Sequence, residues 1–128
     1  MVRILVMDDD TLYAATLAEC LASLGYEIKT VETGQEAIEL LKNNNLFDVA
    51  FFDIENEKGL GGVETIEKMR RNNPILPFPI IAMSGNNAHD AIVSPGDFGF
   101  AMSFKKKSMR LQNLKDVIGE VLREKVGA

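Results

Sequence analysis

Three short apolar runs in this chain each stop at a reactive polar side chain, and that pattern constrains the fold more than any other feature. Ile4-Leu5-Val6-Met7 runs into Asp8-Asp9-Asp10, Val49-Ala50-Phe51-Phe52 into Asp53, and Ile80-Ile81-Ala82-Met83 into Ser84-Gly85. Continuous apolar runs of this length, without alternation, read as strands covered on both faces, which is the condition of a parallel sheet flanked by helices. In such sheets ligands bind and chemistry occurs just beyond the carboxyl ends of the strands. If the three strands are neighbours, three acids (Asp8, Asp9 and Asp53) and one hydroxyl (Ser84) converge on one point.

The segments between the runs have helical period. Tyr13, Leu17, Cys20, Leu21 and Leu24 form one amphipathic stripe, with Thr11 expected to cap its start and Gly25 to stop it. Cys20 lies on that stripe and reads as core. Tyr26 to Val31 alternates, as an edge strand does. Thr33-Gly34 opens a second helix carrying Ala37, Ile38, Leu40 and Leu41, which Asn43-Asn44-Asn45 breaks. Val63, Ile66 and Met69 mark a third helix, with Pro74 just beyond it. A helix is expected over Asn87 to Val93, ended early by Ser94-Pro95-Gly96 because proline removes a donor and clashes with the preceding turn. Phe100 to Lys105 reads as a fifth strand, and Leu111, Leu114, Ile118 and Val121 line a final helix reaching about Lys125. Strands alternating with helices at short spacing imply right-handed crossovers and a doubly wound α/β domain with a five-stranded parallel sheet.

Length and charge narrow the function. At 128 residues the chain suits one domain, taken as residues 1–128 with no output domain. A net charge of −5 opposes direct nucleic-acid binding. No apolar run approaches the roughly 20 residues needed to span a bilayer, and the N-terminus turns acidic too soon for a signal peptide. The single cysteine excludes an internal disulfide framework, so the expected location is the cytoplasm.

Asp8, Asp9 and Asp53 are hard oxygen donors, suited to Mg²⁺, which binds through a few carboxylates, keeps waters and can hold phosphoryl oxygens. Taken separately, Asp8-Asp9-Asp10 could equally be a helix-capping cluster and Asp53 a turn residue. Gathered together, like charges raise one another's pKa and cost energy unless a cation neutralises them. A carboxylate beside such a cation can attack a phosphoryl group to give an aspartyl phosphate. The Ser84 hydroxyl and an ammonium from Lys105-Lys106-Lys107 could then bind the developing oxyanions; the alternative for that lysine run is a solvated basic edge.

The acidic pair Asp8-Asp9 after the first strand, Asp53 after the third, Ser84-Gly85 after the fourth and a lysine after the fifth together resemble the receiver domain of two-component response regulators, over essentially the whole chain. The resemblance implies the CheY-like, flavodoxin-like strand order 2-1-3-4-5. It implies that Asp53 accepts phosphate from a histidine kinase or a histidine phosphotransfer protein. It makes Asp8, Asp9, Asp53 and the backbone carbonyl of Glu55 the Mg²⁺ ligands, with Ser84 and the lysine contacting the phosphoryl group. The family places an inward apolar residue two before the lysine and a glycine about seven before it, which selects Lys106, with Phe104 and Gly99, over Lys107. Glu55 and Asn86 occupy positions that tune phosphate lifetime. The output is a switched protein–protein interaction with an unidentified protein target, a phosphorylation-dependent homodimer included, with no direct nucleic-acid or membrane contact.

Four positions depart from the family pattern. Lys107 stands where the family has proline, Ser103 where it has a switching aromatic, and Glu57 where the loop after Asp53 has proline; Pro95-Gly96 interrupts the helix between the fourth and fifth strands. Three of these alter the face many receivers use for output. Two other classes compete. A haloacid-dehalogenase-type phosphatase needs Asp-x-Asp, whereas this chain has Asp53-Ile54-Glu55 and no cap domain. A degenerate receiver would bind its partner constitutively. His89 stands alone and reads as a surface residue.

Overall fold

The computed structural model describes residues 1–43, 46–85 and 97–127. The expected helix over Asn87–Val93, and with it Asn86, His89 and Pro95-Gly96, lies outside them. The described elements run β1 (Arg3–Met7), α1 (Thr11–Ser23), β2 (Glu27–Val31), α2 (Gly34–Lys42), β3 (Val49–Asp53), α3 (Gly62–Asn72), β4 (Ile80–Ser84), β5 (Met102–Lys105) and α4 (Leu111–Gly127). All strand pairs are parallel and the five-stranded sheet has the order β2-β1-β3-β4-β5. The doubly wound architecture and the expected order are both observed. No described helix is long and apolar enough to cross a membrane.

Side-chain alternation divides the buried residues into two cores. Ile4, Val6, Val49, Phe51, Ile81, Met83 and Phe104 face α1 and α4, where they meet Leu17, Leu21, Leu114 and Ile118. Leu5, Met7, Ala50, Phe52, Ile80 and Ala82 face the opposite way, against Ala37 of α2 and Ile66 of α3. β1, β3 and β4 are therefore covered on both sides, which explains their unbroken apolar composition. β2, at one edge, is mostly exposed, with Ile28 and Val31 half-buried; the expected alternation breaks at Lys29 and Thr30, which are both exposed.

Helix boundaries follow local chemistry, with one correction. Asp10, not Thr11, caps α1, its Oδ1 accepting from Tyr13 N at 3.1 Å. Any residue from Asp8 to Thr11 can cap, and the strand end fixes which one reaches the first turn. Gly25, at φ 94°, ends the helix in a Schellman arrangement, with Gly25 N donating to Ala22 O at 3.0 Å and Tyr26 N to Leu21 O at 3.3 Å. α2 opens at Thr33-Gly34 as expected, with Thr33 capping it by accepting from Glu36 N. β5 starts at Met102 rather than Phe100; Phe100 is buried against the α2–α3 side but lies outside the ladder. Cys20 is half-buried and packs at the edge of the α1–α4 core.

The start of α2 is set by close approach. Gly34 N donates to Leu60 O at 2.9 Å, and a Cβ on Gly34 would collide with Thr65 Oγ1 and lie 2.8 Å from Leu60 Cβ. Thr65 cannot yield, because it is buried and its hydroxyl donates to Gly61 O at 2.6 Å. Gly34→Ala is therefore expected to cost about 1–3 kcal/mol, the usual range for overpacking. It would be read as a lower urea midpoint at unchanged slope; an unchanged midpoint would contradict this packing.

Candidate functional site

The alternation that builds the α1–α4 core also builds the site. Val6 and Phe51 face that core, and two residues further along each strand come Asp8 and Asp53, at the carboxyl ends of the paired strands β1 and β3. Phe104 of β5 lies in the same core, and two residues beyond it comes Lys106. Asp8 and Asp53 are almost wholly buried, at 0% and 1% exposure. Lys106 Nζ lies 2.8 Å from Asp8 Oδ2 and 3.3 Å from Asp53 Oδ1, so one ammonium bridges both acids. Lys107 and Lys105 are exposed.

Asp9 joins the pair from the first residues after β1. Asp8, Asp9 and Asp53 each present a carboxylate oxygen, and these atoms lie within 4.8 Å of one another. Asp8 Oδ1 is engaged by Asp10 N at 2.9 Å, and Asp9 Oδ2 accepts from Glu57 N at 3.0 Å. Ser84 is buried, one residue past Met83, the β4 partner of Asp53. An open cavity of about 400 Å³ adjoins the acids, with Asp9, Asp53, Glu55, Gly85 and Lys106 among its lining. The structure thus brings Asp8, Asp9, Asp53 and Lys106 together, with Glu55 at the cavity wall and Ser84 at the adjacent strand end.

Burial pushes the Asp53 carboxyl up from 3.8 to about 7, and the charge of Asp8 adds to the shift. Lys106 and a hydrogen bond from the Glu55 backbone pull the other way and only partly succeed. For Lys106, burial disfavours the charge, but its bonds to Asp8 and Asp53 outweigh burial and hold its pKa above the ordinary lysine value.

One ammonium does not balance three carboxylates. Among the described residues, Asp8 Oδ2 and Asp53 Oδ1 are buried with no aligned hydrogen-bond donor, and the Lys106 ammonium faces both as an ion pair. Two unsatisfied buried oxygens, from Asp8 and Asp53, with the Asp9 carboxylate converging beside them, are hard donors that fit a small divalent cation. Asp8, Asp9 and Asp53 are the side chains that could hold it.

Two contributors escaped the sequence reading. Tyr13, assigned only to the core stripe, donates its hydroxyl to Lys106 O at 3.3 Å, and Lys106 Nζ lies 5.0 Å from the centre of its ring. Burial and then the nearby charges of Asp8 and Asp53 raise the Tyr13 phenol pKa above its ordinary value. Its signal was its place, in the first turn of the helix that follows the acids. The second is Asn56, whose Nδ2 donates to Glu32 O at 2.7 Å while its Oδ1 accepts from Lys58 N at 3.0 Å and Gly59 N at 2.9 Å. An asparagine within a Gly-rich loop signals such a turn, though not what the turn holds. All described peptide bonds are trans, including those at Lys106 and Lys107.

The family described as "Response regulator receiver domain" matches residues 4–119. A cyclic di-GMP phosphodiesterase of Thermotoga maritima is 28% identical over 124 residues, which is 96% of this chain and 32% of that protein. The two-component response regulator ARR11 of Arabidopsis thaliana is 28% identical over 125 residues, 97% of this chain and 23% of that protein. The chain therefore spans a third or less of these relatives. Among solved structures, a CheY-like response regulator receiver domain protein from Methanospirillum hungatei superposes with a TM-score of 0.80 at 27% identity, covering 97% of this chain and 95% of that one.

Proposed function

The chain belongs to the response regulator receiver domain family of two-component signalling, and from that premise we propose that Asp53 is its phosphoacceptor. The observation that carries this is a buried carboxylate at a strand end, ion-paired to Lys106 and adjoined by two further acids. In the transfer, an oxygen of ionised Asp53 bonds to phosphorus while the phosphorus–nitrogen bond of a phosphohistidine donor breaks. The imidazole leaves with the electron pair and takes up a proton. The donor is a histidine kinase or a histidine phosphotransfer protein.

The chain's own residues have distinct parts. Lys106 favours the ionised form of Asp53 and afterwards pairs with a phosphoryl oxygen. Ser84 offers a hydroxyl to the same group. Asp8, Asp9, Asp53 and the Glu55 carbonyl would hold Mg²⁺, which when bound supplies positive charge to the transferring phosphoryl oxygens. Chemistry of this kind makes the domain a phosphoacceptor that assists its own modification rather than an enzyme with turnover on a separate substrate. Residues 1–128 act as the receiver in the cytoplasm, and phosphorylation switches a protein contact, a homodimer being one form it takes. Lys107 and Ser103, where the family pattern has proline and an aromatic, support a readout that does not run through an aromatic rotamer.

Nuclear magnetic resonance tests this reading. Beryllofluoride with Mg²⁺ mimics an aspartyl phosphate, and is expected to shift the amides around Asp53, Ser84 and Lys106. An unchanged spectrum would refute the phosphoacceptor assignment.

A further inference from the structure

We infer that the backbone amide of Glu57 is a positioning group for the cation site: it holds the Asp9 carboxylate in place, and the Asn56 turn holds the amide. This rests on the cation assignment above. Glu57 N donates to Asp9 Oδ2 at 3.0 Å, across 48 residues of sequence. An ionised carboxylate has about four acceptor positions, so one such bond fixes its orientation and leaves capacity for a cation. Asp9 is only half-buried, with no strand ladder to restrain it, so its orientation depends on a partner of this kind.

The donor is itself braced on both sides. Before it, Ile54 N is tied to Met83 O at 3.0 Å, and Asn56 Nδ2 to Glu32 O at 2.7 Å. After it, Asn56 Oδ1 collects the amides of Lys58 and Gly59, and Lys58 Nζ meets Glu32 Oε1 at 2.6 Å. Leu60 N then donates to Gln35 Oε1 at 2.8 Å. The loop is thus tied to the corner between β2 and α2, and Glu57 N is presented to Asp9 from a fixed turn. The Glu57 side chain is exposed. What holds Asp9 in this chain is the amide hydrogen, which the proline of the family pattern at this position could not provide, so the brace belongs to this chain rather than to the family.

The test separates the amide from the side chain. Mg²⁺ affinity is measured by following amide shifts during titration of the unsubstituted protein, Glu57→Ala and Glu57→Pro. Glu57→Ala keeps the N–H and is expected to bind within about twofold of the unsubstituted protein. Glu57→Pro removes it and is expected to bind roughly tenfold more weakly or worse, the usual loss when a group orienting a metal ligand is removed. Equal or tighter binding by Glu57→Pro, or an equal loss in Glu57→Ala, overturns the inference. Failure of the unsubstituted protein to bind Mg²⁺ would instead sink the cation assignment beneath it. Should Glu57→Pro not fold, hydrogen exchange decides. The Glu57 amide is expected to be protected in the unsubstituted protein and released in Asp9→Ala, while the Gly59 amide stays protected in both. Free exchange of the Glu57 amide in the unsubstituted protein overturns the inference.

Discussion

Asp53→Asn is expected to abolish phosphoryl acceptance while making the metal-free protein more stable at neutral pH. The first half follows from the chemistry, since a carboxamide lacks the anionic oxygen that attacks phosphorus. The second follows from linkage. Burial and Asp8 raise the Asp53 pKa from 3.8 to about 7 in the folded protein, so the folded state holds this proton more tightly than the unfolded chain does. A carboxylate with a raised pKa contributes fully below pH 4, and its contribution is lost as pH rises through about 7. The shift sets an upper bound of about 4 kcal/mol at pH 8; relaxation around the charge brings the expected gain in Asp53→Asn to the order of 2 kcal/mol. Urea unfolding between pH 4 and pH 8 measures it. The unsubstituted protein should lose stability relative to Asp53→Asn across this range, and Mg²⁺ should narrow the gap. Parallel pH profiles for the two proteins would show that Asp53 is not strained by its surroundings.

The second large effect belongs to Lys106. Its ammonium is the cation facing both Asp8 Oδ2 and Asp53 Oδ1 among the described residues, and only 19% of its side chain is exposed. Removing one partner of a buried pair leaves an uncompensated charge, which costs about 3–5 kcal/mol where burial is complete. With the ammonium partly in contact with water, Lys106→Ala should cost about 2–3 kcal/mol at pH 8. The cost should shrink at pH 5, where Asp53 is largely protonated in the folded state. The packing of Tyr13 against Lys106 is lost as well and adds a part that does not vary with pH. Lys107→Ala removes an exposed charge and should stay within about 0.5 kcal/mol. Equal costs for the two substitutions would contradict the assignment of Lys106 as the counter-ion.

Much of this site was legible in the sequence because strand periodicity carries it. Once Val6 and Phe51 are placed on one face, Asp8 and Asp53 follow by a count of two. For the lysine the resemblance supplied the count, an inward apolar residue two before it, and Phe104 does lie in that core while Lys107 is exposed. What stayed hidden depends on contacts between distant segments. Asp10 and Thr11 are adjacent and both able to cap, so only the exit angle of β1 chooses between them. Tyr13 and Leu17 look alike on a helical stripe, and only the approach of Lys106, 93 residues away, shows that Tyr13 packs against the site's lysine. Asn56 announces a turn, but its bond to Glu32 O depends on β2 lying beside β1. Phe100 is apolar enough for a strand and is buried, yet β5 begins after it at Met102, a matter of ladder register that composition does not encode.

The most direct measurement of the central claim is the intact mass of the protein after incubation with a small-molecule phosphodonor and Mg²⁺. A gain of one phosphoryl group that requires Mg²⁺, and is absent in Asp53→Asn, is the expected result. No gain in the unsubstituted protein, or an undiminished gain in Asp53→Asn, would contradict it.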